Sequence, residues 1–347
     1  MDIIATAVIA SFILLLLLRK IASPLGLVDR PGGRKKHHGN VPLIGGLAVF
    51  LGVVVTVVMH DLSGEIPPIL LLGGAVVVAT GALDDRFGLS VRLRICIHVL
   101  VVMCTAIATG SALFFIDGIV SDRFDIGIFA WPVTVIVAVG IFNAFNLMDG
   151  MDGLAGSMAV IAMSGISVYD GLPQLEGARG LLALFIAALL PFLFFNLGGG
   201  GVANKIFLGD AGSVLIGYLV MCSLIESSQG PEPGMSTSDA LWVCALPIYD
   251  TLAVMMQRIA RGTSPFLPDR KHIHHLLLAT GLSKISALIL LFAIALIFMF
   301  VGHTAGKAGA GFSLALFVVT FVAYGTARWW CWRHVPRISA WRALRMG

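Results

Sequence analysis

Apolar runs of about 20 residues recur along nearly the whole chain, and they limit its fold more than any other feature. A bilayer core about 30 Å thick is crossed by roughly 20 helical residues, and backbone inside lipid has to satisfy its own hydrogen bonds. The runs are continuously apolar rather than alternating, which favours helices over a β-barrel. We therefore predict an all-α polytopic membrane protein with 11 transmembrane helices, placed near residues 2–18, 41–59, 67–83, 95–116, 129–147, 154–169, 180–197, 211–226, 239–257, 285–302 and 309–327.

The composition excludes an ordinary soluble protein. Only 12% of the 347 residues are charged, whereas a soluble globular chain is about one quarter charged. The linkers between apolar runs are short, so we predict one integral-membrane domain over residues 1–347 and no nucleic-acid partner. The five cysteines lie in apolar stretches without metal-like spacing, which is typical of small buried side chains.

The distribution of basic residues predicts the orientation in the membrane. The first apolar run follows Met1-Asp2 and precedes Arg19 and Lys20, so we expect an uncleaved anchor with a periplasmic N-terminus. An odd number of helices then places the C-terminus in the cytoplasm. All but three of the 23 Lys and Arg residues fall on the cytoplasmic side in this arrangement; the exceptions are Arg123, Arg179 and Lys307. This agrees with the positive-inside rule.

Two adjacent carboxylates, Asp84 and Asp85, stand at the inner end of the third apolar run. Their mutual repulsion near an apolar boundary has to be compensated by a cation or a proton, which indicates a metal site, an acid–base site or a salt bridge. A salt bridge to Arg86 is the simplest alternative. Arg92 and Arg94 follow at the start of the next run.

The fifth run leaves the membrane through a series of oxygen-bearing side chains, Asn143, Asn146, Asp149 and Asp152, with glycines between the last two and after them. A spacing of three keeps the first three on one broad face of a helix. Such oxygens suit a hard cation or a nucleotide. A cap followed by a turn would explain Asp152-Gly153 but not the asparagines within the membrane.

Asp210 lies in the motif Phe207-Leu208-Gly209-Asp210-Ala211-Gly212-Ser213, just before the eighth run. A helix that begins there would offer free N–H groups to a phosphate. Asp210 could equally be only the N-cap of that helix.

Two inner loops combine basic residues with histidines. The longer one contains Arg270, His272, His274 and His275. It lacks the co-ligands and spacing of known zinc sites, so recognition of a diphosphate or sugar is the better interpretation, and a basic patch that holds anionic lipid is the alternative. The first inner loop, with Lys36 and His38, fits either phosphate binding or topology signalling alone.

These motifs occur in an order that resembles the polyprenyl-phosphate N-acetylhexosamine-1-phosphate transferase family, of the WecA type. The resemblance extends from Gly26-Leu27-Val28-Asp29 to the histidine loop. It implies transfer of GlcNAc 1-phosphate from UDP-GlcNAc to undecaprenyl phosphate, with Mg²⁺ or Mn²⁺ and release of UMP, at the cytoplasmic face of a bacterial inner membrane. The product would start a lipid-linked surface polysaccharide such as O-antigen. Family members that use UDP-FucNAc or UDP-QuiNAc carry nearly the same motifs, so these sugars remain alternatives.

The resemblance also implies roles for individual residues. The metal ion would be held by Asp210 and Asn146, with Asp84 close by. Asp84 or Asp85 would act on the lipid phosphate, while Asp149 would lie between the ion and the nucleotide. The remaining residues are assigned to substrates. Asp152 would contact uracil, and Asn143 would contact the nucleotide sugar. The sugar and diphosphate would be bound by Arg270, His272, His274 and His275, and phosphate would be bound by Arg92, Arg94, Lys36 and His38.

A secondary transporter is the competing class, since acids and asparagines in a membrane also form ion pathways. Transport sites belong near the midplane, whereas the polar clusters here are predicted at one interface. The sequence is also compatible with a homodimer.

Overall fold

A computed structural model describes residues 2–30, 39–119, 123–169, 177–201, 204–230, 233–264 and 271–346, with the side chains of 177–179 and 336–346 excepted. Lys36, His38 and Arg270 lie outside the described residues.

The described chain is mostly helical. Its α-helices are α1 (Ile3–Ala22), α2 (Gly45–Met59), α3 (Pro68–Phe87), α4 (Val91–Thr109), α5 (Ala130–Met148), α6 (Leu154–Tyr169), α7 (Gly177–Asn196), α8 (Gly209–Gln229), α9 (Thr237–Val243), α10 (Ala245–Ile259), α11 (Ile273–Ala279), α12 (Lys284–Gly306) and α13 (Ala310–Met346). Two antiparallel ribbons join β1 (Val28–Asp29) to β2 (Val41–Pro42) and β3 (Phe115–Ile116) to β4 (Phe124–Asp125). Short 3-10 helices cover Leu62–Gly64 and Gly127–Phe129.

The helices confirm a membrane protein but not the full number of spans. Within the described ranges, seven helices are long and apolar enough to cross a bilayer, or up to eight if the bent pair α9 and α10 forms one span. Three further apolar helices, α2, α6 and the described part of α7, are shorter. Every predicted segment coincides with a helix or with the bent pair. The count of 11 and the orientation of the two termini stay predictions.

Two predicted segments are broken or end early in the structure, and a third, 41–59, begins in β2 before α2 starts at Gly45. The segment 95–116 ends early, because Gly110 closes α4 in a left-handed conformation (φ 66°) and the chain enters β3. The segment 239–257 is broken at Cys244, where the axes of α9 and α10 differ by 81°. Pro247 lies in the first turn of α10, where a missing N–H is tolerated.

The chain forms two compact units, which are described separately. The first comprises Met1–Phe114 and Ile126–Met235, and the second comprises Phe115–Asp125 and Ser236–Gly347. The prediction of one functional domain over the whole chain stays a prediction.

Helix α8 is the centre of the first unit, and 18 of its 21 residues are buried. It packs against α2, α3, α5, α6 and α7. A Cβ at Gly46 of α2 would overlap the backbone of Gly212, and one at Gly81 of α3 would overlap the backbone of Ala211. These glycines allow α2 and α3 to approach the first turn of α8.

The first ribbon supports the same end of α8. After β2, the chain forms a parallel bridge between Leu43 and Phe207. The N–H groups of Gly45 and Gly46 donate to the carbonyls of Phe207 (3.0 Å) and Leu208 (2.9 Å). Gly45 and Gly46 therefore have a structural role beside the segment that precedes Asp210.

The second unit has its own aromatic core. Trp242, Ala245 and Tyr249 pack with Phe317 of α13. The indole N–H of Trp242 donates to Ser313 Oγ (3.1 Å), and the hydroxyl of Tyr249 donates to the carbonyl of Phe317 (2.7 Å). These buried hydrogen bonds join the bent pair α9 and α10 to α13.

Candidate functional site

Carboxylates from α3 and α8 meet at one end of the first unit. Asp84, in the last turn of α3, is buried, and its Oδ1 accepts the N–H of Leu89 (2.7 Å). Its Oδ2 pairs with the guanidinium of Arg94 from the first turn of α4. The same guanidinium lies 3.5 Å from Oδ2 of Asp210. The cation beside the pair Asp84-Asp85 is therefore Arg94, and the alternative of a salt bridge to Arg86 is not the arrangement found.

Asp85 caps α8 from a different helix. Its two oxygens accept the backbone N–H groups of Asp210 (3.1 Å) and Ala211 (3.4 Å). A carboxylate at a helix N-terminus also interacts favourably with the helix dipole. A Cβ at Gly209 would lie 2.5 Å from Asp85 Oδ2, so glycine is needed for this contact. The expectation of free N–H groups at this helix end does not hold for Asp210 and Ala211, because Asp85 accepts both of their N–H groups.

Asp210 is not an N-cap. The N-cap position of α8 belongs to Leu208, and no side chain caps the helix from there. The side chain of Asp210 instead accepts a hydrogen bond from Nδ2 of Asn146 on α5 (2.8 Å), which also donates to Ser213 Oγ (3.0 Å). The Asp210 side chain is 37% exposed, against 7% for Asp84. Asp210 therefore retains carboxylate surface that a ligand can reach.

Asp149 directly follows α5 and serves as its C-cap, with its N–H on the carbonyl of Asn146 (3.2 Å). Asp149 as a whole residue is exposed, although neighbouring protein groups partly desolvate its carboxyl. Loss of hydration raises the pKa of Asp149 well above its usual range, and the carboxylates of Asp210, Asp85 and Asp152 raise it further. The raised pKa of Asp149 therefore reflects both desolvation of its carboxyl and the negative charge of the neighbouring carboxylates.

The loop after α5 is held by two residues that the sequence analysis did not select. Lys205 Nζ lies 2.6 Å from Oδ2 of Asp152 and 5.3 Å from the ring centroid of Phe207. Asn196, buried at the end of α7, accepts the N–H of Gly153 (2.6 Å) and donates to the carbonyl of Ile206 (2.8 Å). These contacts join the loop of Asp152 to the segment that leads into α8.

The other predicted residues of this unit are less central. Asn143 is half-buried in α5, three residues before Asn146. Arg92 is exposed on α4, and among the described residues no carboxylate forms an ion pair with it. The structure thus brings together Asp84, Asp85, Asn146, Asp149, Asp210 and Arg94, and leaves Arg92 at the surface.

The donor set fits a hard divalent cation. Carboxylate and amide oxygens are the ligands of such ions, and Mg²⁺ commonly takes one or two protein carboxylates plus substrate phosphates. Among the described residues no three His, Cys, Asp or Glu side chains form a metal cluster by themselves. Asp210 and Asn146 are the most available ligands, with Asp149 beside them. Asp84 is less available because both of its oxygens already have partners.

The histidines form a separate group in the second unit. His272 and His274 are buried, and their rings lie parallel with centroids 6.1 Å apart. The ring of His275 lies 4.1 Å from that of His274. Burial lowers the pKa of His274 to about 3, with His275 contributing in the same direction, so His274 is neutral at physiological pH. Nδ1 of His272 contacts Oδ2 of buried Asp250 (2.8 Å), a partner that sequence reasoning missed.

The missed residues share a cause. Lys205, Asn196 and Asp250 contact partners 53, 43 and 22 residues away in sequence. Of these three residues, only Asp250 could have been noticed in the sequence, because it is a carboxylate at the end of an apolar run that is followed by basic residues.

Comparisons with known proteins give relatives that match nearly the full chain. The profile of "Glycosyl transferase family 4" matches residues 67–228. The undecaprenyl-phosphate alpha-N-acetylglucosaminyl 1-phosphate transferase of Salmonella typhi is 35% identical over 343 residues, or 96% of this chain and 92% of the relative. The proteins of that name from Escherichia coli K12 and Haemophilus influenzae are 36% and 34% identical, over 94% and 82% of this chain and 90% and 80% of the relatives.

Proposed function

We propose that this chain, which belongs to glycosyl transferase family 4, transfers N-acetylglucosamine 1-phosphate from UDP-GlcNAc to undecaprenyl phosphate and releases UMP. The assignment of the reaction rests on similarity to transferases of that name over most of the chain. A secondary transporter loses its support, because these relatives are enzymes.

The observation that best supports this chemistry within the molecule is the carboxylate cluster at the meeting point of α3, α5 and α8. Asp84, Asp85, Asp149 and Asp210 lie there, and Arg94 forms ion pairs with two of them, Asp84 and Asp210. A diphosphate and a lipid phosphate cannot approach such a cluster without further positive charge. The arrangement therefore suits a reaction between two anions in which a divalent cation, held by these oxygens, would neutralise the negative charge.

In the reaction, an oxygen of the lipid phosphate attacks the β-phosphorus of the UDP-sugar, and the bond from that phosphorus to the oxygen of the α-phosphate breaks. UMP leaves with that oxygen. A phosphate monoester is already largely ionised at neutral pH, so positioning matters more than removal of a proton. We assign Arg94 to the lipid phosphate, with Asp84 holding its guanidinium in place.

The cation would be held by Asp210 and Asn146, with Asp149 beside them, and we propose Mg²⁺ or Mn²⁺. When bound, it supplies charge neutralisation for the two phosphate groups. Asp85 holds the first turn of α8 and thereby fixes the position of Asp210. The pair of Asp152 and Lys205 is proposed to meet the nucleotide, and Asn143 lies on the same helix as Asn146. The histidines His272, His274 and His275 are proposed to bind the sugar and diphosphate.

The remaining proposed assignments rest on the sequence. Arg270 is proposed for the sugar and diphosphate, Arg92 for the lipid phosphate, and Lys36 and His38 for phosphate binding. The protein is a membrane protein; location in the bacterial inner membrane, with the site facing the cytoplasm, is proposed from the partition of basic residues. The product is proposed to start a lipid-linked surface polysaccharide.

The test is UMP release by the detergent-solubilised chain with undecaprenyl phosphate and a panel of UDP-sugars. We expect UDP-GlcNAc to be the best donor and the lipid product to carry its sugar 1-phosphate. A preference for UDP-FucNAc or UDP-QuiNAc would correct the sugar but keep the reaction. Absence of UMP release with every donor, together with substrate uptake into proteoliposomes, would overturn the proposal in favour of transport.

A further inference from the structure

Asp250 is a carboxylate buried in the second unit, only 1% exposed. Burying a charged carboxylate is costly unless charges and hydrogen bonds compensate it. Its Oδ1 accepts the N–H of Ile273 (2.9 Å) and the hydroxyl of Tyr324 (3.0 Å), and it lies 3.7 Å from Nε of Arg328. Its Oδ2 contacts Nδ1 of His272 (2.8 Å).

The contacts of Asp250 join three elements around the histidines. Asp250 is on α10, Tyr324 and Arg328 are on α13, and Ile273 begins α11. Arg328 also donates to the carbonyl of Lys271 (2.6 Å). Both residues that flank His272 are therefore held through their backbone by this network.

The contact also selects a tautomer of His272. An ionised carboxylate only accepts hydrogen bonds, so the proton of a neutral His272 ring is on Nδ1. Its Nε2 then carries a lone pair. Which ring nitrogen bears the proton is commonly set in this way by the hydrogen bond of the other one.

Three ring nitrogens of His272 and His274 have no hydrogen-bond partner among the described residues. Nε2 of His272 and both ring nitrogens of His274 are buried without a hydrogen bond. A buried polar atom without a hydrogen bond destabilises the fold. Such atoms are expected where a ligand completes the hydrogen bonding.

We propose that Asp250 is a positioning residue that fixes His272 in the Nδ1–H tautomer and so makes Nε2 available as an acceptor for the donor substrate. The inference rests on the proposed function, because the ligand is taken to be the UDP-sugar. Asp250 does not touch the substrate and acts through His272.

The central variant is Asp250→Asn, which keeps the size of the side chain but replaces one oxygen by an NH₂ group. If this group faces His272, Nδ1 becomes an acceptor and the proton moves to Nε2. Loss of the carboxylate partner behind a metal-bound histidine typically costs about 10- to 100-fold, and we take the same order for the partner that orients His272. We expect kcat/KM for UDP-GlcNAc to fall by about this factor, with the KM for undecaprenyl phosphate unchanged.

The tautomer is measured directly by ¹⁵N NMR of the histidine-labelled protein, with His272→Asn to assign the signal. We expect an Nδ1–H signal for His272 in the parent chain and an Nε2–H signal in Asp250→Asn. This readout does not depend on turnover. If the parent chain releases no UMP from any UDP-sugar, the proposed function fails, while the tautomer still decides whether Asp250 controls His272.

Tyr249→Phe is the matched control, since Tyr249 is the neighbour of Asp250 on α10 and also makes a buried hydrogen bond to α13. We expect this variant to keep its kcat/KM. Equal losses in Tyr249→Phe and Asp250→Asn would show a general packing effect and overturn the inference, as would an unchanged tautomer in Asp250→Asn.

His272→Asn completes the test. Its amide can still donate to Asp250 from the Nδ1 position, but it has no Nε2. We expect a folded protein with kcat/KM reduced at least about tenfold, and no further loss when Asp250→Asn is added, because residues that act as a unit are not additive. If Asp250→Asn does not fold, His272→Asn alone decides, and full activity of that variant would overturn the inference.

Discussion

Replacing Asp210 by asparagine should separate catalysis from stability. The substitution removes the charge and keeps a side-chain oxygen that can accept the hydrogen bond from Asn146. It leaves the first turn of α8 capped, because Asp85 supplies that cap. The contact with Arg94 is 3.5 Å long on a side chain that is 37% exposed, so solvent screening limits its worth to about 1 kcal/mol or less.

The loss of that contact is offset by relief of repulsion from the neighbouring carboxylates. We therefore expect the free energy of unfolding to change by less than about 1 kcal/mol. In the reaction, the lost charge no longer helps to stabilise the two phosphates, a contribution typically of about 3 kcal/mol, or roughly a hundredfold in rate.

The assay is UMP release at limiting Mg²⁺, paired with thermal unfolding followed by tryptophan fluorescence. Asp61→Asn is the control, since Asp61 is an exposed residue in a left-handed conformation (φ 49°) that asparagine readily adopts. Near-normal UMP release by Asp210→Asn would refute the assignment of Asp210 to the cation and favour Asp149. Loss of folded protein would refute the separation of the two roles.

Three further predictions concern the cation, the packing and the topology. EDTA should abolish UMP release, and Mg²⁺ or Mn²⁺ should restore it. Because the pKa of Asp149 is raised, protons compete with the cation for this carboxylate. The Mg²⁺ concentration that gives half of the full activity should therefore rise as pH falls. Gly46→Ala should destabilise the fold by about 1–3 kcal/mol, because the new Cβ would overlap Gly212. Gly140→Ala is the control and should not destabilise it, because no atom lies within 4 Å of a Cβ at that position. Equal melting temperatures of the two variants would contradict this prediction. In sealed cells, a membrane-impermeant thiol reagent should label Ser63→Cys above the parent chain and should not label Ser264→Cys; the reverse pattern would invert the topology.

The sequence predicted the helices well because length and continuous hydrophobicity are local properties. The run 285–302, for example, lies within α12 (Lys284–Gly306). The early end of α4 and the break between α9 and α10 occur at helix-breaking residues within apolar stretches. Gly110 is a common helix terminator, and Pro247 follows a break at Cys244. Both residues were visible, but hydrophobicity on either side concealed their effect.

The carboxylates of the site could be found from sequence because they are rare within apolar runs on the basic side. Their partners could not be predicted in the same way. Asp85 contacts residues 125 positions away, and Asn196 joins Gly153 to Ile206. Such pairings are set by how α3, α5, α7 and α8 pack, which no local pattern specifies.

The cap that Asp85 places on α8 bears on the design of inhibitors. A helix N-terminus usually attracts the phosphate or sulfonate of a nucleotide mimic. Here the N–H groups of the second and third residues of the helix, Asp210 and Ala211, are occupied by Asp85, and the surrounding side chains are mainly acidic. A compound that replaces the diphosphate with an ammonium or amidinium group should therefore fit the metal-free cluster better than an anionic isostere, and its affinity should fall as Mg²⁺ is added.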